Sequence, residues 1–214
     1  MKKLLIILFS FLFIQCGKFT VEPEQKVTAE PSVEELLQAG WAEFTQCKYD
    51  SAQQDFDKVL AQQPENVSAN VGKGWSLLLK NSNHLQLAIL CLEKGLSDNN
   101  WETDSRCGII VAKFTQEKYD EIPTLVNYCL QDHPAYSFSY QADIDWHDLL
   151  LIKAQALYFT KKYNDAWTVI QKLTQDYNYI DPQASETWIV NDVSCFSFEA
   201  VLSKIIHLVS VMYR

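Results

Sequence analysis

No Gly-rich phosphate loop, no HExxH, no GxSxG and no CxxC occurs in the 214 residues. Phosphate-loop nucleotide binding, zinc proteolysis, elbow-type serine hydrolysis and dithiol redox catalysis therefore have no support, and no catalytic residue, metal or cofactor is expected. Basic residues are scarce: 18 Lys and Arg stand against 27 Asp and Glu, a formal net charge of −9. An acidic surface repels phosphates, which argues against a nucleic-acid partner. Long apolar runs are missing too, with one short exception from Leu4 to Phe13 that falls below the length of a membrane span.

That exception carries information. Met1-Lys2-Lys3 ahead of the run gives it the positive head and short apolar core of a secretory signal. The run leads to Cys16, and Leu12-Phe13-Ile14-Gln15-Cys16 resembles the lipobox of bacterial lipoproteins, with Phe13 and Gln15 departing from its strict form. The resemblance implies that residues 1–15 are removed, that Cys16 is acylated, and that the protein is anchored to a membrane by lipid. Gly17, where an aspartate would signal retention, resembles outer-membrane-directed lipoproteins and implies an anchor in the outer membrane, facing the periplasm. Residues 16–31 hold two prolines and little apolar content, so they are expected to form a flexible tether reaching on the order of 20 Å. Loss of Lys2 and Lys3 with the signal makes the mature chain more acidic still.

An exported chain meets an oxidising compartment. Besides Cys16 the cysteines are Cys47, Cys91, Cys107, Cys129 and Cys195, an odd number. Most read as small buried hydrophobes; Cys91 to Cys107 is the one candidate bridge.

From residue 32 onward the chain is periodic. Gly40-Trp41 recurs as Gly74-Trp75, 34 residues later. The small or apolar residue where two helices would approach appears as Ala52, Ala88, Ile122 and Ala166. The steps are one period each, apart from two extra residues placed at Asn81-Ser82-Asn83 and ten placed at Ala135 to Ile144. Behind these markers the apolar residues fall at helical spacing, as in Tyr49, Ala52, Phe56, Val59 and Leu60. The first copy, from Leu36, Ala39, Gly40 and Phe44 through Tyr49, Ala52 and Phe56 to Pro64, resembles a tetratricopeptide repeat. The second copy has Leu85 for the leading tyrosine and Asn100 for the closing proline, and the third lacks Gly-Trp.

The resemblance implies an all-α fold, a tetratricopeptide-type α-solenoid of about four helical hairpins with a C-terminal capping helix. The expected repeats are about 33–66, 67–102, 103–136 and 147–180 within a domain 32–214, with a cap at 181–214. Ser32 and Glu35 form a capping box that starts the first helix. Trp188 to Cys195 reads as two short strands about Asn191-Asp192. Ser197 caps a last helix striped by Phe198, Val201, Leu202, Ile205, Leu208, Val209 and Met212, with Ile206 and Val211 off the stripe.

Function is sought on the inner face. The resemblance places Leu37, Trp41, Phe44 and Thr45 there, then Val71, Trp75, Leu78 and Leu79, then Phe114, Tyr158 and Phe159. Two readings stand: a groove that binds a protein or peptide partner through aromatic anchors, or an interior in which the two tryptophans are packed against the tether or the last helix. The resulting expectation is a non-catalytic adaptor or scaffold of the bacterial envelope, with a self-associating structural lipoprotein as the alternative. Asp143, Asp145, His147 and Asp148 gather acid and imidazole, but Asp145 and Asp148 are expected to cap a helix beginning near Trp146.

Overall fold

Ser32 sets where the fold begins. Its hydroxyl accepts the Glu35 amide at 3.2 Å while the Glu35 carboxylate accepts the Ser32 amide at 2.7 Å, and α1 (Val33–Thr45) follows. In the computed structural model, which describes residues 30–80 and 83–212, seven further helices complete four hairpins. α2 (Tyr49–Gln62) closes the first; α3 (Val67–Leu79) and α4 (Leu85–Glu93) form the second. α5 (Glu102–Thr115) and α6 (Ile122–Asp132) form the third, α7 (Trp146–Phe159) and α8 (Tyr163–Leu173) the fourth. A hairpin of β1 (Ile189–Val190) and β2 (Val193–Ser194) and a final α9 (Phe198–Met212) complete the described chain. The expected signal segment 1–15, the lipid site Cys16, nearly all of the tether, and Asn81 and Ser82 of the two-residue insertion lie outside the described residues.

Three hairpins turn in the same way. Cys47, Glu117 and Lys161 adopt left-handed φ of 59°, 60° and 60°. Each donates its amide to the carbonyl three residues back, and the next amide reaches the carbonyl five back, as in Cys47 to Phe44 and Lys48 to Glu43. This Schellman closure satisfies the last carbonyls of α1, α5 and α7 and reverses the chain at one fixed place in the repeat.

The layers touch through glycine. A Cβ at Gly40 would lie 2.8 Å from the Phe56 ring, and one at Gly72 would lie 2.3 Å from it. One period on, Gly74 and Gly108 close on Leu92, where a Cβ would meet the side chain at 2.7 and 2.8 Å. The second helices of the first two hairpins, α2 and α4, thus each drive one large side chain between the first helix of their own hairpin and that of the next, and only glycine leaves the room. Phe56 and Leu92 are fully buried as a result.

At the far end, Val190 pairs with Val193, and Asn191 and Asp192 carry the two positive φ values, 49° and 62°, of a type I′ turn. Ser197 accepts the Ala200 amide and α9 packs on α7, α8 and β1. Three neighbours make its buried arc wider than one stripe. Ile206 is therefore buried, against expectation, while Met212, expected in the stripe, is 57% exposed beside Val211. Cys47, Cys91, Cys107, Cys129 and Cys195 are all free. The candidate Cys91 to Cys107 bridge is absent, and Cys107 instead faces Cys129 and Tyr136, the Cys129 contact and burial pushing its thiol pKa up.

Candidate functional site

The ten-residue insertion decides what the inner face is. After α6 the chain turns at His133, whose carbonyl accepts the Tyr136 amide, and then runs extended. Ser137 bridges antiparallel to Asp145, and the Phe138 amide donates to the Ile144 carbonyl. Successive side chains of an extended segment point to opposite sides. Tyr136 and Phe138 are accordingly buried and Ser137 faces solvent; Ser139, exposed, and Tyr140, half-buried, follow in the turn that the Gln141 amide closes on the Phe138 carbonyl.

The strap lies over the first helices. Phe138, fully buried, stacks on Trp75 with ring centroids 4.8 Å apart and meets Phe44 and Trp41 edge-on at 5.9 and 6.4 Å. Tyr140 stacks on Trp41 at 3.9 Å, and Trp101 lies nearly parallel to Trp41 at 5.2 Å. The polar edges of these rings are also satisfied. Trp41 Nε1 donates to Ser68 Oγ at 2.9 Å, Trp75 Nε1 to the Asp104 carbonyl at 3.2 Å, and the Tyr136 hydroxyl to Asp104 Oδ1 at 3.0 Å. Tyr49, at the start of α2, donates its hydroxyl to Gln141.

The expected groove residues therefore separate. Phe44, Val71 and Trp75 are fully buried and Trp41 is 6% exposed; these four are core and do not form an open groove, Trp41, Phe44 and Trp75 being covered by the strap and Val71 packed beside Gly95. The reading in which the tryptophans are packed is the observed one, with the insertion as their cover. Leu78 is half-buried on the same core. Phe114 and Tyr158 sit apart from Trp41, in an aromatic cluster at the hairpin turns. There Phe114 meets Tyr119 at 5.4 Å, Tyr119 stacks on Phe159 at 4.7 Å, and Tyr158 approaches Tyr163 at 5.7 Å.

What stays open lies at the α1 edge. Glu34, Leu37, Gln38, Trp41, Ala42, Thr45, Ser68 and Tyr140 line a cavity of about 570 Å³. Leu37, Gln38, Trp41 and Thr45 follow one another at helical spacing on one face of α1, and Tyr140 of the strap completes the lining. A second cavity of about 490 Å³ lies at the start of the strap. It is lined by Asn99, Asn100, Thr103, Asp104, Asp132 and His133 and by strap residues Tyr136, Ser137 and Ser139. Burial raises the Asp104 carboxyl to about 6, against the opposing pull of the Tyr136 hydroxyl and of His133.

Trp101, Asp104, Tyr136, Phe138 and Tyr140 are the residues that sequence reasoning did not assign to this face. The signal was the alternation Tyr136-Ser137-Phe138-Ser139-Tyr140, a period of two inside a stretch taken for a turn-rich insertion. The acid cluster behaves as a cap: Asp145 Oδ1 accepts the His147 amide at 2.7 Å and Asp148 accepts the Asp145 amide at 2.9 Å, starting α7.

No protein-family model matches the chain, and no curated protein matches it. Among solved structures, it is similar to a tetratricopeptide repeat protein from Parabacteroides merdae, at 18% identity and a TM-score of 0.50. The alignment covers 84% of this chain and 59% of that one, so the chain spans about three-fifths of that protein's length. With four stacked helical hairpins, three of them closed by the same turn and the first layers spaced by glycine, the chain has the all-α solenoid fold of a tetratricopeptide repeat protein.

Proposed function

We propose that this protein is a non-catalytic scaffold of the bacterial cell envelope, held to the outer membrane by lipid on Cys16 and binding a protein or peptide partner through the open edge of its inner face. The observation that carries the reading is the cavity between α1 and Tyr140, an apolar recess in a fold whose inner surface is suited to a bound segment. Aromatic anchors of this kind supply much of the affinity at such surfaces. The lipobox-like Leu12 to Cys16 and the proline-containing tether support the location.

The test is in-cell crosslinking of the full chain beside Ala42→Arg. Ala42 is exposed on α1 and lines the cavity, so the arginine fills the recess without entering the core. Loss of the crosslinked partners at unchanged helicity supports the reading; retention of all of them contradicts it. Cys16→Ser should release the protein from the membrane fraction, and an unchanged membrane fraction argues against the anchor.

A second reading rests on the end of α9, where Val211 and Met212 are 59% and 57% exposed. This apolar tip would join two copies. A concentration-independent monomer in light scattering removes that alternative.

A further inference from the structure

Two of the described cysteines face each other inside the third hairpin. Glu117 stands in its turn where Cys47 stands in the first. Carried across by that offset, the contact of Gly40 with Phe56 becomes Ile110 against Val126, and one helical turn farther from the loop Cys107 of α5 meets Cys129 of α6. A hydrogen bond joins the two side chains, and they are 0% and 2% exposed. Cys107 also faces Tyr136 at the root of the strap.

The pair is not symmetric. The contact with Cys129, and then burial, push the Cys107 thiol up, so Cys107 keeps its proton and donates it. The same contact, helped by the charge of Arg106, pulls Cys129 down against burial and the charge of Glu102. Arg106 is held in place, with its guanidinium 4.2 Å from the centre of the Tyr128 ring and paired with Glu102. The thiolate is the reactive form of a cysteine, and its reactivity follows positive charge nearby. Access is narrow. Cys129, Arg106, Thr103 and His133 line one cavity of about 30 Å³. That is room for one or two water-sized molecules and no more, so a peroxide of two oxygen atoms fits where a peptide disulfide such as oxidised glutathione does not.

We propose that Cys129 is a site of oxidation by hydrogen peroxide and that Cys107 resolves the product into a disulfide. The Cys129 thiolate attacks one peroxide oxygen and the O–O bond breaks; the other oxygen leaves as hydroxide, takes up a proton and departs as water. Cys129 is then a sulfenic acid. The Cys107 sulfur gives up its proton and attacks the Cys129 sulfur, the S–S bond forms, and the S–O bond breaks to release a second water. Two thiols lose two electrons and one peroxide gains them. This goes beyond the scaffold reading and does not depend on it.

The experiment treats the reduced full-length protein in detergent with hydrogen peroxide and, in parallel, with oxidised glutathione. Free thiols are then alkylated in denaturant and unreduced tryptic peptides are read by mass spectrometry. Peroxide should give peptides joined through Cys107 and Cys129. Oxidised glutathione should give them at least about tenfold more slowly, because it must wait for local opening. Cys107→Ser should stop the reaction at the sulfenic acid, labelled on Cys129 by dimedone added with the denaturant. Arg106→Gln, checked for native helicity, should slow the oxidation roughly tenfold, the scale of one charge near a partly desolvated group; a native rate there contradicts the proposal. Peroxide oxidation confined to the exposed Cys47, with no joined peptides, overturns it. Equal rates with the two oxidants also overturn it, since the reaction would then belong to the opened chain. If Cys129→Ser moves the dimedone label to Cys107 at the native rate, the assignment of the two roles fails.

Discussion

Phe56 and Phe138 are both fully buried, and they are buried by different means. Phe56 belongs to the repeat: Gly40 and Gly72 approach its ring from two successive hairpins, and Leu92 repeats the arrangement one period later between Gly74 and Gly108. Phe138 belongs to the insertion and is held by Trp75, Trp41 and Phe44 on one side of a strap with solvent on its other side. The first is support within the stack, where each layer exists because its neighbours do. The second is a cover laid over a stack that already has its helices. The inner face thus owes its shape to the longer of the two insertions that break the period.

The largest effect should come from the repeat. Phe56→Ala removes the side chain that separates two glycine surfaces and should cost about 3–5 kcal/mol of unfolding free energy, with loss of helicity across the array. Urea melts followed by circular dichroism measure it; a loss under about half a kcal/mol would contradict the layer described here. Phe138→Ala should cost less, about 2–3 kcal/mol, because the strap can relax towards the hole. Its signature is a red shift in tryptophan emission as Trp41 and Trp75 become wet, with native helicity kept. A cost equal to that of Phe56→Ala would erase the distinction between layer and cover.

Next in size is the latch at the root of the strap. Asp104 binds its proton more tightly in the folded chain, with a pKa raised to about 6, than in the unfolded one. A raised carboxyl favours the protonated folded state, so stability should fall as pH rises from about 4 to about 6 and level off above. A change on the order of 1–2 kcal/mol is expected for this half-buried group. His133 and Asp132 line the same cavity, so the measurement is the difference between the native chain and Asp104→Asn. An unaltered slope in the variant would assign the pH dependence elsewhere. The smallest stability effect belongs to the open edge: Gln38→Ala, at an exposed position lining the apolar cavity, should change stability by under about 0.5 kcal/mol. A larger loss would make that edge part of the packed interior.

The same contrast explains what could be read from the chain. Helix starts at Ser32 and Asp145, the turn at Asn191-Asp192 and the cap at Ser197 are set by neighbours in sequence, and all four stand where expected. Phe56 was legible because its burial obeys the period. The location of the insertion was legible as a break in that period, but its path was not, since Phe138 meets Trp75 across more than sixty residues of chain. The groove reading failed at Phe44 and Trp75 for that reason: an aromatic inner face looks the same in sequence whether empty or covered. Ile206 and Met212 exchanged places because the arc that α9 buries is set by α7, α8 and β1 together.

The hydrogen bond from Tyr49 to Gln141 joins residues 92 apart, and like the ring contacts of Phe138 and Tyr140 it ties the strap to the first hairpins. During synthesis the first two hairpins can assemble as soon as they emerge, yet Trp41, Phe44 and Trp75 stay wet until Phe138 arrives roughly sixty residues after Trp75. At about 5–20 residues per second that interval lasts on the order of 3–12 s. For that time the nascent chain displays an adhesive aromatic surface, and its solubility before completion depends on whatever holds that surface until the strap comes down.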